Sequence, residues 1–409
     1  MQLNPRGPIP IVAAVIVLTG AIATRSSPAR ADVEAATHLT IFTEPSKANQ
    51  GLRVIHPQTE VSATAGSFGI AAGYELDVVS GATARVFGEE SAPDAVSGAT
   101  FSDTRQAARG SLSFETATVA FSGGYSYGFE NDYKSHTLTA QARGDFFERI
   151  FSLSLGYTRN FDRVCDEAND FVPDAIDRQP LGTSEGCFKV GSDKAVRKLS
   201  IDTFEPALSW TATPLTLLAA GLSLQVLDGF QSNPYRTVRI GTSGRTPQEH
   251  VPEWRQRYAV FARLHQAIPL ARSAVRLGGR LYRDSWDVRA ASIDGEWLSY
   301  FGPALILGVR GRWHKQGSAT FFRTAQDLRL LGPTGKYWTG DRELASLSNL
   351  MVGGVITFVK APPTDSPSFY KDLEIDVRFD LLYYHPEPGA PNPDRSYAHI
   401  IQAGARLRF

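Results

Sequence analysis

The chain closes on Tyr397-Ala398-His399-Ile400-Ile401-Gln402-Ala403-Gly404-Ala405-Arg406-Leu407-Arg408-Phe409. Counting back by twos from Phe409 gives Leu407, Ala405, Ala403 and Ile401, with Tyr397 beyond His399, while Arg408, Arg406 and Gln402 fall on the other phase. A period of two marks a strand with one apolar and one polar face. The same alternation recurs upstream, in Phe151-Leu153-Leu155-Tyr157, in Tyr258-Val260-Ala262-Leu264, in Leu305-Leu307-Val309 with Trp313, and in Ile375-Val377-Phe379-Leu381-Tyr383. Repeated period-two segments fit two architectures: a soluble β-sandwich, whose apolar face is the core, and a membrane barrel, whose apolar face meets lipid.

Composition leans the same way. Of 409 residues, 36 are Gly, 23 Phe, 14 Tyr and only 2 Met, a mixture suited to strands rather than helical cores. Lys plus Arg and Asp plus Glu each number 42, so a nucleic-acid partner has no electrostatic support. The aromatic-terminated alternating strand resembles the last strand of bacterial outer-membrane barrels, which implies recognition by the barrel assembly machinery and a location in outer-membrane lipid. The expected fold is therefore all-β, a transmembrane antiparallel β-barrel of about 14 strands (12–16).

The N-terminus agrees with export. Arg6 precedes an apolar run from Ile9 to Ala23, and Ala29-Arg30-Ala31 supplies a small-x-small cleavage site before Asp32, the plan of a secretory signal peptide over 1–31. Its loss removes Arg6, Arg25 and Arg30 and leaves 39 basic against 42 acidic residues. Strands are expected from 67 to 409, with residues 32–66 left as a periplasmic or plug segment in which Glu60 to Ala65 has some strand character. An even strand number places both chain ends in the periplasm, and the long connections 163–194, 230–252 and 323–342 on the outer side.

Cys165 and Cys187 both fall in the outer loop 163–194, and an even pair in an exported chain reads as a disulfide. The same stretch carries Asp162, Asp166, Glu167, Asp170, Asp174 and Asp177 without the spacing of a calcium loop, which reads as a solvated acidic loop. Arg257, Arg263, Arg276, Arg280, Arg310, Arg312, Arg378, Arg406 and Arg408 occupy the polar phase of their strands. They predict a lumen that pairs with its own acids, such as Asp376 and Asp380, and attracts carboxylate or phosphate. No Gly-x-Ser-x-Gly or His-Glu-x-x-His signature is present, and His136, His265, His314 and His399 are isolated, so a catalytic role is not expected.

The connection expected over 79–104 contains a repeat. Asp77-Val78-Val79-Ser80-Gly81-Ala82-Thr83 recurs seventeen residues later as Asp94-Ala95-Val96-Ser97-Gly98-Ala99-Thr100. Both copies resemble the acceptor motif of flavin transferases, Asp-x-x-Ser/Thr-Gly-Ala-Ser/Thr. That resemblance implies covalent FMN on Thr83 and Thr100, up to two per chain. Asp77 and Asp94 would then be recognition residues, and Ser80-Gly81-Ala82 and Ser97-Gly98-Ala99 small residues that give the hydroxyl access to a foreign site. Asp77-Val78-Val79-Ser80, Leu227-Asp228-Gly229-Phe230-Gln231-Ser232-Asn233-Pro234-Tyr235-Arg236 and Tyr282-Arg283-Asp284-Ser285-Trp286 resemble, from about Tyr74 to Phe409, a family of bacterial outer-membrane barrels known only as a domain of unknown function. The functional expectation is a flavin-carrying electron conduit across the outer membrane, served by a flavin transferase and a periplasmic redox partner. The alternative is a porin-like channel or transporter for anionic solutes.

Overall fold

The computed structural model describes residues 31–45, 52–81, 103–167, 177–181, 186–236, 247–323, 335–361, 370–386 and 397–409. These residues form sixteen antiparallel strands: β1 (Ala31–Glu44), β2 (Leu52–Ala65), β3 (Phe68–Gly81), β4 (Asp103–Glu115), β5 (Val119–Phe129), β6 (Tyr133–Phe146), β7 (Phe151–Asp166), β8 (Ala195–Thr213), β9 (Thr216–Gly229), β10 (Trp254–Ile268), β11 (Ser273–Asp284), β12 (Arg289–Phe301), β13 (Leu305–Gln316), β14 (Leu347–Lys360), β15 (Asp372–Pro386) and β16 (Tyr397–Arg408). Each pairs with its sequence neighbours, and β1 pairs with β16, so the sheet closes on itself without an edge.

The strand count corrects the expectation of about fourteen, and the correction lies wholly in 32–66. That segment is no plug: β1 and β2 form the hairpin that completes the wall, with Glu34 opposite Arg408 on one side and Ala63 opposite Ile70 on the other. Its outward face, Val33, Ala35, Thr37, Leu39 and Ile41, is too weakly apolar to stand out, and Pro57 sits inside β2, where a missing N–H argues against a central strand. The ladder between β2 and β3 is interrupted there, between Ile55 and Gln58. A second correction concerns 79–104. β3 runs to Gly81 and β4 starts at Asp103, so Val79 to Gly81 and Asp103 to Thr104, expected in that connection, are strand residues.

Outside and inside separate by parity. Phe68, Phe114, Phe121, Trp210, Phe301 and Phe358 are exposed on the outward face toward the end of the barrel with short turns, and Tyr125, Tyr157, Trp254, Tyr258, Trp313 and Tyr383 toward the end with long loops. Between these girdles lie exposed aliphatic residues such as Leu153, Leu155, Leu222, Val260, Leu277, Val309 and Ile356. An apolar belt bounded by two aromatic girdles is what a bilayer requires of a barrel. β7 shows its length: the outward residues from Phe151 to Phe161 cover eleven positions, the span of one tilted transmembrane strand. Among the described residues, no helix is long and apolar enough to cross a membrane.

Candidate functional site: the arginine-lined lumen and its outer cap

The inward face changes character along the barrel axis. Near the long loops its side chains are buried. Phe42, Leu52, Leu382, Tyr384, Ala398 and Ile400 pack as one cluster inside β1, β2, β15 and β16, and Leu199, Ile201 and Leu227 as another inside β8 and β9. Toward the short turns the inward residues are polar and reached by solvent, among them Arg109, Arg143, Glu205, Arg263, His265, Arg276 and Arg280. The periplasmic part of the lumen is thus a polar vestibule, and the outer part is narrowed by packed residues.

Strand register organises the vestibule wall. Across β10 to β13 one row reads His265, Arg276, Glu296, Arg310, and the next reads Arg263, Gly278, Asp294, Arg312. A third reads Phe261, Arg280, Ser292, His314. The first two rows alternate in charge and partly neutralise themselves. Arg276 Nη1 donates to Glu296 at 2.9 Å, and Arg310 Nε donates to Asp380 Oδ1 at 2.7 Å in a two-pronged pair. Glycines make room for the acids: a Cβ on Gly278 would lie 2.6 Å from Asp294 Oδ2, and one on Gly353 would collide with the Asp380 carboxylate. The third row carries no acid. Arg280 is exposed and makes no ion pair among the described residues.

On the far side of the sixteen-stranded ring, β2 and β3 contribute Glu60, Glu75 and Asp77, all inward. Arg109 Nη2 sits 2.6 Å from Glu60 and Arg109 Nη1 3.8 Å from Glu75, while His56 Nδ1 lies 3.0 Å from Asp77 Oδ1. An arginine-rich wall therefore faces one whose acids are matched by Arg109 and His56, an asymmetry of charge that orients charged solutes. All nine arginines expected on the polar phase point inward, and Asp376 and Asp380 pair with Arg378 (3.5 Å) and Arg310 as expected.

The outer cap was not foreseen. Cys165 and Cys187 form the expected disulfide. Asp166, expected in a solvated acidic loop, is instead buried, pairing with Arg178 (2.6 Å) and Arg197 (3.1 Å) and accepting from Gln248 Nε2 (3.0 Å). Glu249 is also buried. It accepts from the Asn233 backbone N–H (2.7 Å) and from Thr339 Oγ1 (2.7 Å), and it shares Arg236 with Asp341. Burial pushes the Glu249 carboxyl above its ordinary range, with Arg236 opposing. Burial alone would lower Arg236, but Asp341, Glu249 and Glu343 outweigh it and raise the guanidinium. Backbone bonds between His250 and Trp338 (3.0 and 2.8 Å) and a cluster of Val251, Trp286, Val288, Ala319, Phe321 and Leu344 tie the same loops together. Burial also lowers His250 below the usual imidazole value, against a hydrogen bond to the Lys336 carbonyl. The segment Gln231 to Arg236, which the sequence offered only as part of a family resemblance, supplies part of this cap. Its partners lie about a hundred residues away, as in the Arg236–Asp341 pair and the Tyr235 to Asp132 bond.

Of the residues in the two repeated motifs, Asp77 faces the lumen beside His56, and Ser80 and Gly81 end β3 opposite Arg53 and Leu52. Ala82, Thr83, Asp94, Ser97, Gly98, Ala99 and Thr100 lie outside the described residues, as does the expected signal peptide up to Arg30.

A closed sheet with an apolar outer belt, two aromatic girdles and a polar interior defines a transmembrane β-barrel of the bacterial outer membrane. Within that class, the chain belongs to the DUF3570 family, described as a protein of unknown function, whose model matches residues 17–392. Among curated proteins, none matches this sequence. Among solved structures it is similar to a bacterial polysaccharide outer membrane secretin, at 8% identity over 94% of this chain and 99% of that one, with a TM-score of 0.46. It is also similar to OccK2 (OpdF) of Pseudomonas aeruginosa, at 12% identity over 93% of this chain and 98% of that one, with a TM-score of 0.42.

Proposed function

We propose that the barrel is a selective pathway for anionic solutes across the outer membrane, with the vestibule as its binding region and the interlocked loops as its outer gate. The observation that carries this reading is the wall of β10, β11 and β13. Arg263, Arg276 and Arg280 are exposed to the lumen there, and Arg280 stands in a row without an acid. Guanidinium groups pair carboxylate and phosphate through two parallel hydrogen bonds, so a solute carrying either group exchanges from one arginine to the next without losing its counter-charge. On the facing side Arg109 is engaged by Glu60 and Glu75, which leaves the arginine track of β10 and β11 as the side that offers an anion its counter-charge. The test is reversal potential in a planar bilayer under a potassium chloride gradient. The full chain is expected to favour chloride, and Arg263→Gln/Arg280→Gln/Arg312→Gln to move the potential toward zero. Cation preference in the unaltered protein overturns the reading.

A second reading is supported by the repeated Asp-x-x-Ser-Gly-Ala-Thr. We propose that Thr83 and Thr100 accept FMN, each hydroxyl attacking the FMN phosphorus of FAD with release of AMP, so that the barrel carries electrons between a periplasmic partner and an outer acceptor. Because Asp77 to Gly81 are strand residues in the closed barrel, a transferase reaches the first copy only before β3 is paired. Co-expression with a flavin transferase followed by intact mass decides it. One or two FMN adducts lost in Thr83→Ala and Thr100→Ala support the reading, and an unmodified chain beside a modified control acceptor ends it.

A further inference from the structure

The lipid-facing surface carries a charge pattern that the lumen does not explain. Lys134 on β6 is the register partner of Arg163 on β7, and Arg163 is the partner of Lys198 on β8. All three lie on the outward phase, since the same parity exposes Leu138, Phe161 and Phe204, while the alternate residues Tyr133, Asp162, Val164 and Leu199 are buried. Like charges directly opposite one another on adjacent strands repel at about 4.5–5.5 Å. Here three stand in an unbroken row.

Neighbouring charges show what is missing. Two outward positions back along β7, past Phe161, Arg159 is neutralised by Asp202 at 3.1 Å, and Tyr157 Oη also donates to that carboxylate. Arg163 and Lys198 have no ion pair among the described residues, and Lys134 is held with its ammonium 4.3 Å from the Phe188 ring centroid. The row sits just beyond Phe161, the last outward aromatic of β7, where the apolar belt ends and the headgroup layer of the outer leaflet begins.

We propose that Lys134, Arg163 and Lys198 form a docking surface for a phosphorylated glycolipid headgroup of the outer leaflet, whose anionic groups bridge the row. Position argues for a lipid over a soluble anion. The cations face outward from the barrel, directly above the acyl-chain belt, so a lipid whose chains lie against Leu138, Phe161 and Phe204 presents its headgroup to them. Bridging phosphate relieves the repulsion along the row, which no side chain among the described residues does by an ion pair.

The experiment uses the full-length folded barrel, mixed with phosphatidylcholine vesicles with and without lipid A, and counts retained lipid A by native mass spectrometry. Each surface charge removed is expected to weaken retention about fivefold. Lys134→Gln/Arg163→Gln/Lys198→Gln should therefore lose it on the order of a hundredfold, Arg163→Gln alone about fivefold, and Lys134→Arg/Arg163→Lys/Lys198→Arg should keep it. Arg149→Gln, at the opposite rim, should match the unaltered protein. Heat-modifiable migration verifies that each variant is folded, and Arg163→Gln serves if the triple variant is not. Retention by Arg163→Gln and the triple variant equal to that of the unaltered chain overturns the proposal. Displacement of lipid A by inorganic phosphate alone also overturns it, because it marks a site for free anions.

Discussion

Glu249 is the residue on which the outer cap turns. Its carboxylate satisfies the Asn233 N–H and the Thr339 hydroxyl and shares Arg236 with Asp341, all away from water. Glu249→Ala takes the acceptor from the Asn233 N–H and the Thr339 hydroxyl and leaves Arg236 to Asp341 alone, so it should destabilise the cap by about 1–3 kcal/mol for each buried donor left unsatisfied. Hydrogen exchange should then quicken in 247–253 and 335–346 while the barrel strands keep their protection. Glu249→Gln keeps an acceptor and should cost much less. The pH dependence separates the two roles of the side chain. Burial raises the folded-state pKa above the unfolded value of about 4.5, so this group's contribution is fully present below that pH and is lost as pH rises through the folded value. Cap protection in the unaltered protein should therefore fall relative to Glu249→Gln as pH is raised above about 4.5. An identical pH profile for the two would show that Glu249 is not perturbed.

At the scale of elements, the loop that follows β7 is pinned twice, by the Cys165–Cys187 bond and by Asp166 with its two arginines. A disulfide acts mainly by restricting the unfolded loop, worth about 2–4 kcal/mol at this separation. Because both cysteines lie beyond the apolar belt, reduction should speed proteolysis between them and leave the barrel's heat-modifiable migration unchanged. A barrel that falls apart on reduction would show that the bond holds the wall itself. What could be read in advance divides along the same line. Fourteen strands were legible because their outward faces carry large side chains every second residue, as in Phe151 to Phe161. β1 and β2 were not, because Thr37, Ala35 and Ala63 dilute the alternation and Pro57 imitates a break. The arginines of the vestibule were legible from parity alone, since a strand fixes which side a residue faces. The cap was illegible for the opposite reason. Asn233, Glu249 and Thr339 come from connections without periodicity, and only the folded barrel brings them together.

For the molecule as a whole, the hairpin of β1 and β2 decides whether there is a closed barrel at all. β1 bonds to β16 along ten register pairs, and β2 bonds to β3 along most of its length. Without the hairpin, β3 and β16 become two free edges, and each unpaired backbone group facing lipid costs several kcal/mol. Direct closure of β3 onto β16 would make a smaller ring, and it would strand the charges that the hairpin neutralises. Glu34 pairs with Arg408 (2.8 Å) and Arg406 (3.4 Å), Glu60 with Arg109 (2.6 Å), and His56 with Asp77 (3.0 Å). Residues 67–409 refolded into detergent should therefore fail to give the compact, heat-modifiable form that residues 32–409 give. Adding the 32–66 peptide during refolding should restore it in part, because the missing wall can be supplied in trans. If residues 67–409 instead form a stable barrel with an undiminished chloride preference, fourteen strands suffice and the hairpin is an accessory to a smaller pore.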